Sequence, residues 1–227
     1  MREFAKTIAS KLPFSFQQEM KRVWFALQIK RGRFVTDELE FDRLSEWVSP
    51  GDWVLDVGAN VGHYTFRLSD LVGNEGRVIA FEPVTATHEL LSANVRRLKY
   101  DNVTLMNVGA SEATKEFSVD IPKFDTGLNN YYMASLTEGS GEFKVMCISI
   151  DSLNLPERVS LVKIDAEGHD FQVLKGMTVM LEKDHPVLIV EDGSGEVDEF
   201  LTNLGYSASR SIAGSHNRVY AFESSVK

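Results

Sequence analysis

The stretch Val54–Thr65, VLDVGANVGHYT, runs from an apolar strand pattern through a turn marked by Gly58 and Gly62 into a segment, Tyr64–Leu71, whose apolar residues recur at helical spacing. The same alternation continues outward. Arg77–Phe81 reads as a second buried strand, followed by a helix through Leu90, Leu91, Val95 and Leu98, and Val103–Val108 as a third. Leu161–Ile164 and Val187–Val190 are two more apolar runs, with one helix expected over Phe171–Leu181 between them. The order predicts an α/β domain with at least five parallel strands and helices on both faces of the sheet.

Other textures interrupt this pattern. Glu116–Ile121 and Phe143–Ile150 alternate like hairpin strands around the polar segment Pro122–Glu142, giving an insertion at about 115–150 in a domain spanning 51–227. Tyr206–Ser211 and Arg218–Phe222 read as a terminal antiparallel hairpin. Residues 1–50 form a helical extension, and within it Met1–Arg33 carries eight Lys or Arg against two Asp or Glu. Phe16, Met20, Val23, Trp24 and Leu27 fall at helical spacing among Lys21, Arg22, Lys30 and Arg31, a basic amphipathic helix whose apolar stripe is expected to pack on the domain. The other use of such a helix is a surface for an anionic glycan, a membrane face or a partner chain. Leu39, Leu44, Trp47 and Val48 suggest a second helix, stopped by Ser49-Pro50-Gly51-Asp52.

With 227 residues, 43% of them hydrophobic and 25% charged, the chain has the composition of one globular catalytic domain plus an extension. A net charge of -9 argues against a nucleic-acid partner. Cys147 stands alone, which excludes an intrachain disulfide and a cysteine-ligated zinc site. No apolar run reaches bilayer length and no signal-peptide core is visible, so a cytoplasmic location is expected; self-association and peripheral contact through the basic helix stay open.

In an open parallel sheet the first strand-to-helix turn is where a ligand sits. A dinucleotide loop needs three glycines so that backbone amides can reach a pyrophosphate, but Asn60 holds the middle position here. Asp56, at the end of the strand, repels a pyrophosphate and attracts a cationic ligand such as S-adenosylmethionine. Glu82, in Ala80-Phe-Glu-Pro83, stands where an acid accepts both hydroxyls of an adenosine ribose. An NAD-linked oxidoreductase or epimerase shares that ribose contact and is disfavoured by Asn60; a binding module without turnover is the other alternative.

Asp56–Thr65 (DVGANVGHYT), Gly76–Pro83 (GRVIAFEP) and Lys163–His169 (KIDAEGH) together resemble the FkbM family of S-adenosylmethionine-dependent methyltransferases, in order and spacing from Gly51 to about Phe222. The resemblance implies a Rossmann-like class I methyltransferase with a mostly parallel seven-stranded sheet whose last strand is antiparallel. It also implies O-methylation of a hydroxyl on a sugar, glycan or secondary metabolite. By position, Asp56, Gly58, Asn60 and Gly62 would line the methionine end of the cofactor, Glu82 would hold the ribose, and Gly109-Ala110-Ser111 would lie beside the adenine. Gly109 departs from the alanine that many members carry.

Lys163, Asp165, Glu167, His169 and Asp170 follow the fourth strand, and Glu191 and Asp192 the fifth, so titratable groups converge on the rim of the cofactor turn. Lys163 and Asp165 share a strand face and are also readable as a satisfied ion pair. Methyl transfer to an alcohol needs a base or a metal. His169, with an ordinary pKa of about 6.5, is the candidate base; Asp165 either takes the proton or orients the hydroxyl, and Glu167 shapes the turn. A divalent ion on Asp165, Glu191 and Asp192 is the less favoured device, and no metal is expected. His63 is placed near the acceptor, Glu191 on the same rim, and Tyr131, Tyr132 and Ser135 of the insertion as groups that stack on and hydrogen-bond a sugar ring.

Overall fold

A computed structural model describes residues 12–125, 127–191, 195–208 and 215–222. In chain order its elements are α1 (Phe14–Lys30), β1 (Trp53–Val57), α2 (His63–Val72), β2 (Arg77–Phe81), α3 (Thr85–Val95), β3 (Val103–Met106), β4 (Gly109–Ala110), β5 (Lys115–Asp120), β6 (Ser135–Thr137), β7 (Phe143–Ile148), β8 (Val159–Ile164), α4 (Asp170–Lys175), α5 (Thr178–Asp184), β9 (Val187–Val190), α6 (Gly195–Asn203), β10 (Tyr206–Ala208) and β11 (Arg218–Phe222). The main sheet has seven strands in the order β10-β11-β9-β8-β1-β2-β3. β3, β2, β1, β8 and β9 run parallel, while β11 is antiparallel to both of its neighbours.

The strands are apolar on both sides because helices cover both faces. Alternate residues divide accordingly: Leu55, Val57, Ile79, Phe81, Val162 and Ile164 enter one core, and Val54, Val78, Leu161 and Ile189 enter the other with Tyr64, Leu68 and Val72 of α2. Phe41, Leu44 and Val48 join that second core, so the segment before Gly51 shares its packing with the sheet. The second helix expected there is a six-residue 3-10 turn, Phe41–Glu46, which buries Leu44 and leaves Leu39 exposed.

The insertion is more than a hairpin around a loop. β5 pairs antiparallel with β7, β6 adds to the other edge of β5, and β4 runs parallel to β7, making a four-stranded sheet. The single helix expected over Phe171–Leu181 is two helices. Asp151 causes the break: its carboxylate accepts the backbone N–H groups of Val179 (2.9 Å) and Met180 (3.0 Å), capping α5. Gly176 at the junction lies so close to Ser111 that a Cβ would stand 1.9 Å from its carbonyl oxygen.

α1 forms as expected but with its faces reversed. Phe16, Met20, Val23, Trp24 and Leu27 are exposed, and the opposite face, with Gln18 and Phe25, is buried. Gln18 Nε2 donates to the Ala86 carbonyl at the start of α3 (2.8 Å), and Phe25 meets the Phe34 ring edge-on. The expected packing of the stripe on the domain is therefore corrected: α3 accepts the helix through the face that carries its single core aromatic. No helix among the described residues is long and apolar enough to cross a membrane. Of the chain between β10 and β11, residues 209–214 lie outside the described residues, and with them the end of the expected strand Tyr206–Ser211, as do residues 1–11 and Asp192.

Candidate active site

A cleft of about 210 Å³, open to solvent, lies at the carboxyl ends of β1, β2, β8 and β9 and is closed on its far side by the insertion. Gly58 and Asn60 line it from the first turn, Glu82, Pro83 and Val84 from the end of β2, Gly109 and Ala110 from β4, and Asp165, Ala166, Glu167 and Glu191 from the ends of β8 and β9. Val119, Tyr131, Tyr132, Ala134 and Leu136 come from the insertion.

The backbone of the first turn is committed internally. Gly58 and Ala59 N–H donate to the Phe81 carbonyl (3.1 and 2.9 Å), Asn60 N–H to Glu82 Oε2 (2.9 Å) and Gly62 N–H to the Ala59 carbonyl (2.8 Å). Gly58 is required by close approach: at φ 77° a Cβ would lie 1.8 Å from the Asp165 carbonyl oxygen. Asn60 takes the left-handed region at φ 50°, which asparagine tolerates. Glu82 also accepts the Val84 N–H (2.8 Å). Burial pushes its carboxyl up to about 7 against the pull of those two bonds.

Four carboxylates line the cleft, and its described lining contains no Lys, Arg or His. Lys163 stands behind them, 2% exposed, with Nζ 2.5 Å from Asp165 Oδ2 and 4.9 Å from the centroid of the Tyr64 ring. Burial alone would raise Asp165, but Lys163 and a hydrogen bond from Glu191 outweigh it and hold Asp165 below the usual carboxylate range. Burial, the bond shared with Asp165 and the charge on Asp165 push Glu191 up. Burial and the charge on Asp165 lift Glu167 to about 7. Asp165, Glu167 and Glu191 offer oxygens within 4.8 Å of one another, a spacing that could hold a cation; no ion is needed to charge-balance Asp165, because Lys163 does so.

Of the residues singled out in the sequence, Gly58, Asn60, Glu82, Gly109, Ala110, Asp165, Glu167, Glu191, Tyr131 and Tyr132 meet at this cleft. Five do not. Asp56 is buried on the sheet, where it accepts the Thr65 hydroxyl (2.5 Å) and faces Lys163 across the β1–β8 pairing; burial lifts it to about 6. Gly62 serves the fold, at φ 97° and with a Cβ position 2.6 Å from Leu91 Cδ1. His63 packs 4.3 Å from the Phe34 ring under α1, and burial lowers its pKa to about 4. Ser135 is off the cleft wall because Ala134 and Leu136, one residue to either side, face in. His169 turns away to Ser111, with Nε2 2.9 Å from Oγ, and lies edge-on to Phe117; burial lowers its pKa below the ordinary value on which the base role rested. The alternating residues of β5 and β6 are the available signal for Val119 and Leu136; Ala134, just before β6, carries none.

Gly109 has a local explanation: a Cβ there would lie 2.6 Å from Cys147 Sγ, so the glycine and the buried cysteine accommodate each other.

The profile of the methyltransferase FkbM domain matches residues 56–208. The hexuronic acid methyltransferase AglP of Haloferax volcanii is 30% identical over 190 residues, covering 82% of this chain and 73% of its own. Among solved structures, an FkbM methyltransferase from Methylobacillus flagellatus KT superposes with a TM-score of 0.54 at 17% identity, covering 97% of this chain and 59% of that one. Fibrillarin from Aeropyrum pernix, in complex with S-adenosyl-L-methionine, gives a TM-score of 0.52 at 15% identity, with coverages of 81% and 73%.

Proposed function

Because the chain belongs to the FkbM methyltransferase family, we propose that it moves the methyl group of S-adenosylmethionine to a hydroxyl oxygen of a sugar or sugar-like acceptor. The observation that carries this reading is the electrostatic character of the cleft: four carboxylates, no basic side chain in its described lining, and a first turn whose Gly58, Ala59, Asn60 and Gly62 amides are already taken. A pyrophosphate finds no donors there, whereas an ammonium and a sulfonium find counter-charge. That same observation weighs against an NAD-linked oxidoreductase or epimerase.

Glu82 keeps unused lone pairs on both oxygens for the two ribose hydroxyls, and Val84, Ala110, Val119 and Leu136 form an apolar slot for a planar base. The bound cofactor supplies the electrophilic methyl on its sulfonium. Asp165, kept ionised by Lys163, faces the cationic end of the ligand and orients the acceptor hydroxyl. Glu167, which lines the cleft with a carboxyl lifted to about 7, would accept the proton of the acceptor hydroxyl. His169 is not given that role. The chemistry proceeds without a metal in this reading, which the Lys163–Asp165 pair supports.

Transfer of labelled methyl from S-adenosylmethionine to a panel of uronosides, neutral glycosides and glycolipids, with and without chelator, tests the proposal. Transfer to at least one sugar, insensitive to chelator and lost in Glu167→Gln while cofactor still binds, is expected. Chelator-sensitive transfer would move Asp165, Glu167 and Glu191 to metal ligation, and transfer only to non-hydroxyl acceptors would overturn the O-methylation reading.

A further inference from the structure

A second cleft, of about 230 Å³, lies between α1 and the insertion. Phe14, Gln17 and Lys21 line it from the helix, and Phe124, Leu128 and Asn129 from the insertion. Tyr131 and Tyr132 line both this cleft and the carboxylate cleft, so the two spaces adjoin across one pair of aromatic rings.

The two clefts have opposite electrostatic character. Lys21 is the charged group in the described lining of the second cleft, which contains no Asp or Glu. Its Nζ stands 5.0 Å from the centroid of the Tyr131 ring, and no carboxylate among the described residues forms an ion pair with it. Burial lowers its pKa, the mark of an ammonium held partly out of water. A half-buried cation is costly unless a counter-charge meets it. The surrounding rings are apolar faces of the kind that receive a pyranose, with Phe14 and Tyr131 tilted at a centroid distance of 6.5 Å.

We infer that this second cleft is the acceptor subsite and that it selects a saccharide bearing an anionic group, a carboxylate or a phosphate, which Lys21 neutralises. The inference rests on the methyl-transfer reading and adds the acceptor's charge and the residue that reads it. A cationic donor among carboxylates and an anionic acceptor beside a lysine place opposite charges on the two sides of Tyr131 and Tyr132, with the acceptor hydroxyl reaching past the rings to Asp165 and Glu167. It also gives α1 a function: the helix carries the residue that recognises the acceptor.

The test uses the full chain saturated with S-adenosylhomocysteine, so that nothing turns over. Calorimetric titration with p-nitrophenyl β-glucuronide, glucose 1-phosphate and p-nitrophenyl β-glucoside is compared for the wild type, Lys21→Met and Lys21→Arg. A charge-assisted contact should favour an anionic sugar over the neutral glucoside by about tenfold. Lys21→Met should lose that preference and Lys21→Arg keep it, with S-adenosylhomocysteine affinity unchanged in both. A response to the glucuronide alone or to the phosphate alone identifies which anion is read. Equal affinity for charged and neutral sugars, no binding of either anionic sugar at millimolar concentration, or a preference that survives in Lys21→Met overturns the inference. Failure of S-adenosylhomocysteine itself to bind would instead sink the methyl-transfer reading.

Discussion

Replacing Lys163 by methionine isolates the buried charge beneath the cleft. Methionine fills much of the lysine's volume, so packing is largely kept while the ammonium, 2.5 Å from Asp165, is lost. Asp56, in register with position 163 on the neighbouring strand, and Asp165, two residues further on, are then both left without the ammonium between them. Breaking a buried ion pair from one side costs about 3–5 kcal/mol, a large part of a typical total stability of about 5–15 kcal/mol. The loss should depend on pH. In the wild type Asp165 is held below its unfolded pKa, so its contribution is present above that value and is lost only as pH falls through the folded one. Without Lys163 its folded pKa rises above the unfolded value, and stability is lost as pH rises through it. Asp56, already lifted to about 6, moves in the same direction. Urea unfolding of both proteins at pH 7.5 and pH 5 should show the gap shrinking by at least about 1.4 kcal/mol at the lower pH, the equivalent of one pKa unit. An equal loss at both pH values, or a loss below about 1 kcal/mol, would refute the reasoning.

Three further outcomes follow from the structure. Glu82 is lifted to about 7, so the folded state binds its proton more tightly than the unfolded chain and wild-type stability should fall as pH rises toward 7; in Glu82→Gln that part of the slope disappears in pH-dependent unfolding curves. Gly109→Ala should cost about 1–3 kcal/mol by overpacking against Cys147, and much less in a Cys147→Ala background, which a double-mutant cycle reads directly. Trp24→Ser combined with Phe16→Ser should change the unfolding free energy by no more than about 0.5 kcal/mol per substitution, because both side chains are exposed; a larger loss would restore the stripe to the core.

The strand-turn-helix at Val54–Thr65 and the acid at Glu82 were legible because each rests on local rules: an apolar run, a positive-φ glycine, a carboxylate at a strand end. Asp56 was misplaced because a polar residue at the end of a strand reads the same from sequence whether it faces a ligand or a lysine on the neighbouring strand. The clue was Lys163, a second charge inside an apolar strand, which makes a cross-strand pair a structural expectation. His169 lay only four residues past Asp165, but Glu167 and Gly168 both take positive φ (51° and 84°), and the chain reverses between them. Its partner Ser111 is 58 residues away, beyond any local pattern. The reversal of α1 has a similar cause. Hydrophobic spacing finds a stripe but not what covers it, and α3 offered a surface that fits Gln18 and Phe25 instead.

The central claim is that the carboxylate cleft receives a phosphate-free, cationic methyl donor. Calorimetric titration of the full chain with S-adenosylmethionine and, separately, with NAD tests it most directly. Saturable binding of S-adenosylmethionine that weakens at least about tenfold in Glu82→Ala, with no heat from NAD, is the predicted result. Saturable binding of NAD with S-adenosylmethionine silent would contradict it.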